Sequence, residues 1–482
     1  MRRRPGPANF RLELGPIDSS PLRTPGVVFV RIVLRHRLRS VLPALAVTLV
    51  VATGSKRARA SAWDVFGFGP EGIASVSARS ATATDGSATF YNPAGLGFGR
   101  GLRLELSGLA AMPLLHAQGS NQTLQDPVGG CAAIDADVPL EGPLSDRVRV
   151  GLGLYALPSK LMRIELRKGT DPFFPYYDNR TQRLAAIPAL AVRPASWLGL
   201  GVGANVLGGV SGPVDVREGQ SRGLETLIEQ DVNTVVSWVA GVRVDPLQQL
   251  HVALTYRQAF GVPFHVTTTA NVAGVPLMVD VNASQALYDP ASLVLGTAAE
   301  PTARLRLEVN ASWQRWSVWQ GPLLGIDTTV SALSLSSHLP QGLFRDTWSV
   351  RGAGRWWVSR NANGEVGLLA GLGYETSMLV PSAQQGGTNF VDGAKVLVGG
   401  GATARFPGLV GRAFLASIGA QLQRVSSYAQ AKRACTSVPC AAGTVVGPDT
   451  DHPSEGIGNP GYPTLSGGGA VFVLSAGLGV EL

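Results

Sequence analysis

Residues 303–314 read ARLRLEVNASWQ. Ala303, Leu305, Leu307, Val309, Ala311 and Trp313 alternate with Arg304, Arg306, Glu308, Asn310, Ser312 and Gln314. Successive side chains of a strand point to opposite faces, so a period of two over this length gives a ribbon with one apolar and one polar face. Arg304, Arg306 and Glu308 share the polar face, which therefore needs water or polar partners. The alternation recurs in LRLELSG (102–108), LHVALTYR (250–257), WSVRGAGRWW (348–357) and EVGLLAGLGYE (365–375).

Short turns join many of these ribbons: RPAS (193–196), VDPLQQ (244–249), EPTA (300–303), SRNANG (359–364) and FPGLVG (406–411). The connections at 210–231, 317–345, 377–391 and 424–466 are long and polar. Short turns at one end and long ones at the other, with strands of about ten residues, describe a transmembrane barrel, whose closure leaves no unpaired edge in hydrocarbon. Strands are expected at 102–113, 129–139, 147–157, 182–193, 197–209, 232–244, 249–270, 288–300, 303–316, 346–358, 364–376, 392–405, 411–423 and 467–482. The fold class is an all-β membrane protein, a 14-stranded antiparallel transmembrane β-barrel. Trp197, Trp238, Trp313, Trp316, Trp348, Trp356 and Trp357 fall near strand ends, where interfacial girdles sit. The terminal SAGLGVEL (475–482) sends Ala476, Leu478, Val480 and Leu482 outward. It resembles the signal read by outer-membrane barrel-assembly machinery, except that Leu482 stands where that signal has an aromatic.

Composition removes other classes. The chain of 482 residues carries a formal charge of +8, with 41 Lys+Arg against 33 Asp+Glu. Residues 1–60 hold 12 of the basic and 2 of the acidic residues, leaving 29 against 31, a net of −2. The basic character therefore belongs to the leader, and no nucleic acid partner is expected. That leader reads as a secretory signal peptide. Arg31, Arg35, Arg37 and Arg39 precede the apolar VLPALAVTLVVATG (41–54), and ARASA (58–62) offers cleavage after Ala60 or Ala62. An N-terminal membrane anchor is the alternative. Cys435 and Cys440 are placed to close a small disulfide loop, and Cys131 is left over. With six histidines (36, 116, 251, 265, 338, 452) and no Gly-x-Ser-x-Gly elbow, no enzyme is expected. Neither a metal nor a cofactor is expected.

A barrel of this size encloses a wide lumen unless something fills it. The segment WDVFGFGPEGIASVSARSATATDGSATFYNPAGLGFGR (63–100) precedes the first strand, is punctuated by Gly and Pro, and suits a plug of turns and short helix. Phe66, Phe68, Phe90 and Tyr91 give it an apolar surface. Proline restricts both itself and its predecessor, so Asn92-Pro93 fixes a turn. This segment resembles the N-terminal hatch of the FadL-type family of outer-membrane transporters for long-chain fatty acids and aromatic hydrocarbons. The residues that carry the resemblance are Phe66-Gly67-Phe68-Gly69, Asp85, Ala88 and FYNPAGL (90–96), whose Asn92, Pro93 and Ala94 match the hatch motif. LTYRQAF (254–260), ASWQRWS (311–317), DTWSVRGAGRWWV (346–358) and GLLAGLGYETS (367–377) extend it over most of the chain. One departure is SVSARSA (75–81), where many relatives have Gly-Gly-Ala.

The resemblance implies three domains: the leader at 1–60, the hatch at 61–100 and the barrel at 101–482. It implies passive uptake of hydrophobic small molecules by a barrel set in outer-membrane lipid of a Gram-negative cell. The ligand would pass a site of hatch and wall at Phe66, Phe68, Phe90, Tyr91, Asn92, Pro93 and Ala94. Gly151 and Gly153 are read either as a strand kink for lateral exit or as glycines chosen for lumen packing. The loop KLMRIELRKGTDPFFPYYDNR (160–180) mixes aromatics with basic residues, which suits either capture of an amphipathic carboxylate or a merely packed loop. Two alternatives stay open: a barrel serving as a scaffold for protein export, with a partner protein, and an open porin.

Overall fold

The computed structural model describes residues 63–482 apart from 123–127, 157–171, 173, 179–184, 212–213, 219–223, 229–230, 273–274, 322–324, 331–332, 338–342, 381–383, 385–387, 409–411 and 434–461. The signal-peptide reading, its two cleavage positions and the Cys435–Cys440 pair lie outside the described residues. Cys131 is a free, buried thiol.

Fourteen strands form one closed antiparallel ring. They are β1 (Arg103–Ala117), β2 (Val128–Asp137), β3 (Val148–Ala156), β4 (Ala185–Ala195), β5 (Leu198–Ser211), β6 (Asp231–Leu247), β7 (Leu250–Arg257), β8 (Ser292–Thr302), β9 (Leu305–Gln314), β10 (Thr347–Asn361), β11 (Gly364–Glu375), β12 (Lys395–Pro407), β13 (Ala413–Ala431) and β14 (Thr464–Glu481). Each pairs with its neighbours in sequence, and β1 pairs with both β2 and β14, Arg103 standing opposite Asp135 on one side and Glu481 on the other. Ring closure satisfies every strand edge within the wall, as a spanning structure must.

The register gives the wall two faces. In β9, Leu307 and Val309 are exposed on the outside while Glu308 and Asn310 are buried toward the lumen. In β14, Leu474 and Leu478 face out and Val471, Val473 and Ser475 face in. An apolar exterior over a polar or packed interior is the pattern of a barrel that spans a bilayer. Trp348 and Trp356 are exposed at opposite ends of β10. Eight residues at about 3.3 Å each, tilted by about 40°, separate them by roughly 20 Å along the membrane normal. Trp197 and Trp238 are exposed likewise. Trp316 and Trp357 depart from the expected girdle and are buried. Trp357 follows Trp356 in the same strand and so faces the opposite side. Trp316 lies beyond the end of β9, in a 3-10 turn over Trp316–Val318 that folds inward.

The turns Ser196–Trp197, Gln248–Gln249, Ala303–Arg304 and Ala362–Asn363 close one end of the ring. The other end is more ordered than its polar composition suggests. A six-stranded sheet runs in the order Leu333–Ser337, Gly325–Val330, Val275–Asp289, Phe260–Val272, Val214–Glu218, Leu224–Ile228. The expected single strand at 249–270 is therefore two: β7 ends at Arg257, and Phe260–Val272 belongs to the second sheet. A strand of twenty-two residues would reach about 70 Å, far beyond the bilayer, so the chain leaves the wall where β7 has spanned it. Two of the long connections, 210–231 and 317–345, likewise contain strands of this sheet.

Residues 63–99 lie within the ring. They form α1 (Trp63–Phe66), α2 (Gly69–Ala74), α3 (Ala88–Tyr91) and a 3-10 helix over Pro93–Phe98. Helix α2 packs on β11, β12, β13, β14 and β1, and the 3-10 helix on β3, β4, β5 and β6, so the segment bridges opposite sides of the wall.

Candidate functional site

The seven residues singled out in the N-terminal segment are all buried. They form three groups rather than one pocket. Asn92, Pro93 and Ala94 lie against β5 and β6. The Asn92 side chain accepts from the Ala94 amide (3.1 Å), capping the 3-10 helix, and donates to Ser80 O and Val242 O (3.2 Å each). A single amide thus ties the motif to its own segment and to β6. The wall comes close enough to do this because glycine faces it. A Cβ on Gly241 would overlap Asn92 Oδ1, and one on Gly201 would overlap the Ala94 nitrogen.

Phe68, Phe90 and Tyr91 make the second group. Phe68 and Phe90 stack at 6.2 Å, and Phe90 meets Tyr91 edge-on at 5.0 Å. Tyr91 Oη accepts from the Phe68 amide (2.8 Å), Tyr91 O accepts from Thr255 Oγ1 (3.2 Å), and the Arg257 guanidinium sits 4.0 Å over the Phe90 ring. Gly67 holds φ at +110° beside Phe68, and a Cβ there would meet Gly72; this is the local reason for the Phe-Gly-Phe-Gly pattern. Gly151 and Gly153 face the same region, where Cβ atoms would press on Thr89, Leu96 and Phe68. The ladders of β3 to β2 and to β4 run past both glycines without a register shift.

Phe66 belongs to a third group, which the sequence did not announce. It stacks on Tyr177 at 6.4 Å. Tyr177 meets Tyr176 edge-on at 5.1 Å, and Tyr176 leads to Trp316 at 6.3 Å. From Trp316 the column continues through Tyr288 and Trp319 to Phe344 and Phe390, with centroid separations of 4.5–5.9 Å. Tyr176 and Tyr177 come from a short helix, α4 (Pro175–Asp178), in the connection read as a capture loop. For these residues the packed alternative holds rather than the exposed one: Phe174, Tyr176 and Tyr177 are 0–1% exposed, buried against α1. Burial of their rings is the reason, since each removes large apolar area from water.

Polar groups line this column at fixed points. Gln423 Nε2 donates to Val65 O and to Gln421 Oε1 (2.8 Å each), and Gln423 Oε1 accepts from Tyr177 Oη (3.1 Å). The Lys395 ammonium lies 3.8 Å over the Tyr176 ring and 2.8 Å from the Asp392 carboxylate. Burial, then Tyr176, Asp392 and Glu375, pushes the Tyr177 hydroxyl well above its ordinary range. The inward parity of Gln421 and Gln423 in AQLQRV (420–425) was the available signal for these partners.

Toward the short-turn end the segment meets a charged layer around a cavity of about 510 Å³. Arg79 pairs with Asp85 and Glu71 at 2.9 Å each, Arg355 pairs with Glu71, and Arg103 approaches Asp85 at 3.9 Å. Glu308 of β9 accepts from the Ala81 amide (2.8 Å) and Thr82 Oγ1 (2.5 Å). Arg79 lies in SVSARSA (75–81). Val76 and Ser77 of that stretch hold φ at +47° and +65°, a region that costs a non-glycine residue about 1–2 kcal/mol. Ser77→Gly is therefore expected to stabilise the folded protein by about 1 kcal/mol. The check is a rise in the temperature at which the compact band converts to the unfolded one on gels.

Among the described residues no group of three or more His, Cys, Asp and Glu is placed to hold a metal ion. No family model matches the chain, and no curated protein matches it. Solved structures do. A Pseudomonas aeruginosa FadL homologue is 14% identical, with a TM-score of 0.54 over 85% of this chain and 98% of that one. The P. putida toluene transporter TodX is 14% identical, with a TM-score of 0.52 over 87% of this chain and 99% of that one. A TodX deltaS2S3 mutant monoaromatic hydrocarbon channel gives the same identity and TM-score. At this identity the likeness is one of architecture, and the closed barrel described above is the FadL-type fold.

Proposed function

We propose that the protein is an outer-membrane channel for passive uptake of hydrophobic small molecules, long-chain fatty acids or aromatic hydrocarbons. Residues 61–100 act as the hatch, and the ligand passes a site between hatch and barrel wall. The observation that carries this reading is the buried aromatic column from Phe390 and Phe344 down to Phe66. An apolar molecule gains about 25 cal/mol per Å² of surface moved from water, and the column offers it aromatic contact from the long-connection end of the ring to the hatch. The likeness to a toluene transporter supports the same class of cargo. The signal-peptide reading of the leader agrees with delivery to the outer membrane.

The test is mass spectrometry of small molecules extracted from protein purified gently from outer membranes. Enrichment of fatty acids or hydrocarbons over a control barrel is expected. It should drop several-fold in Asn92→Ala combined with Pro93→Ala, which releases the caps and ties of the motif. An empty protein that co-purifies with a polypeptide would instead favour the export scaffold.

A further inference from the structure

The column that leads to the hatch is occupied, and its occupant is phenolic. Tyr176 and Tyr177, carried inward on α4, stand between Phe66 and Trp316 in the column. The polar groups around them are set for that chemistry. Both amide hydrogens of Gln423 are used, one on the hatch carbonyl of Val65 and one on Gln421. Its oxygen therefore faces the lumen as an acceptor, fixed in orientation, and it takes the Tyr177 hydroxyl. The Lys395 ammonium is paired with the Asp392 carboxylate and also lies over the Tyr176 ring, so its charge is already matched and it favours a ring face over a second anion. A carboxylate at this place would put its oxygens against the Gln423 oxygen and near Asp392. A hydrocarbon would leave the Gln423 oxygen without a donor, which a buried acceptor penalises.

We infer that the site between hatch and wall is selective for uncharged hydroxylated monoaromatics, compounds of the phenol class, which displace Tyr177 from Gln423 and Tyr176 from beneath Lys395. This rests on the channel reading above and narrows its cargo. Selectivity of this kind is large because a site built to pair a hydroxyl rejects the analogue that lacks one.

Equilibrium dialysis of the full-length purified protein in amphipol, against p-cresol, toluene and octanoate with amphipol alone as the blank, tests it. Wild type is expected to bind p-cresol at least tenfold more tightly than toluene, with octanoate weakest. Gln423→Leu should weaken p-cresol about tenfold and tighten toluene several-fold, since no buried acceptor is then left without a donor. Tyr177→Phe, which removes only the competing hydroxyl, should tighten p-cresol several-fold. The opposite signs separate recognition from damage, and retention of the compact gel band confirms that both variants are folded. Toluene binding equal to p-cresol, or a Tyr177→Phe variant with unchanged p-cresol affinity, overturns the inference and leaves the channel reading standing. No binding of any of the three overturns both.

Discussion

Gly241→Val is expected to unseat the Asn92-Pro93-Ala94 motif while leaving the ring of strands closed. A Cβ at Gly241 overlaps Asn92 Oδ1 and comes within 3.1 Å of Pro93 Cδ. Valine adds three carbons where one does not fit. Overpacking of this kind costs about 1–3 kcal/mol, and the displaced Asn92 loses three hydrogen bonds worth about 1 kcal/mol each. A penalty of about 4–6 kcal/mol falls on the segment, not on the ladder, since Gly241 keeps its backbone pairing with Gly201 and Thr255. Limited proteolysis reads the result: new cleavage within residues 63–100, with the barrel still migrating as a compact band. Gly108→Ala in β1, where a Cβ meets nothing within 4 Å, is the matched control. Protease resistance equal to wild type in the Gly241 variant would refute the seat.

Removing Arg79 is expected to cost nearly as much at the other end of the segment. Its side chain is 9% exposed and faces two carboxylates, Glu71 and Asp85. Breaking a buried pair from one side leaves an uncompensated charge, at about 3–5 kcal/mol. Arg79→Met should therefore lower stability strongly, and Asp85→Asn added to it should return part of the loss. If the double variant is no more stable than the single one, the pair is not what holds this region. The pH dependence follows the same geometry. Burial works to raise the Asp85 carboxyl, but Arg79 and then Arg103 outweigh it and hold it well below its ordinary range. Its contribution is thus complete above the unfolded carboxylate value of about 3.9 and is lost as pH falls through the folded value. Stability measured between pH 5 and 8 should be flat with respect to this group.

The barrel was legible in the sequence because lipid imposes a strict rule. Leu307 and Val309 must face hydrocarbon, so Glu308 and Asn310 face inward, and the period of two survives in every spanning strand. Even the weak pattern of β2 (Val128–Asp137) lies within two residues of its expected bounds. The rule lapses beyond the membrane. Phe260–Val272 and the strands at 214–228 and 325–337 pair in a sheet that no lipid patterns, and composition alone read most of them as loops. Inside the ring the residues of the site were visible singly but their grouping was not. Phe66 meets Tyr177 across 111 positions of chain, and Gln423 reaches Val65 across 358. The glycine run GLGVGANVLGG (199–209) had no motif to explain it; Gly199 and Gly201 are the clearance for Ala94 and Phe98.

The bridging position of residues 63–99 also couples the segment to the closure of the ring. Helix α2 rests on β11 to β14 and on β1, and the 3-10 helix on β3 to β6. The ring shuts only when β14 zips onto β1. Residues 63–99 and the ring are therefore interdependent in assembly: the segment touches strands on both sides of the β14–β1 seam, so neither can reach its final packing without the other.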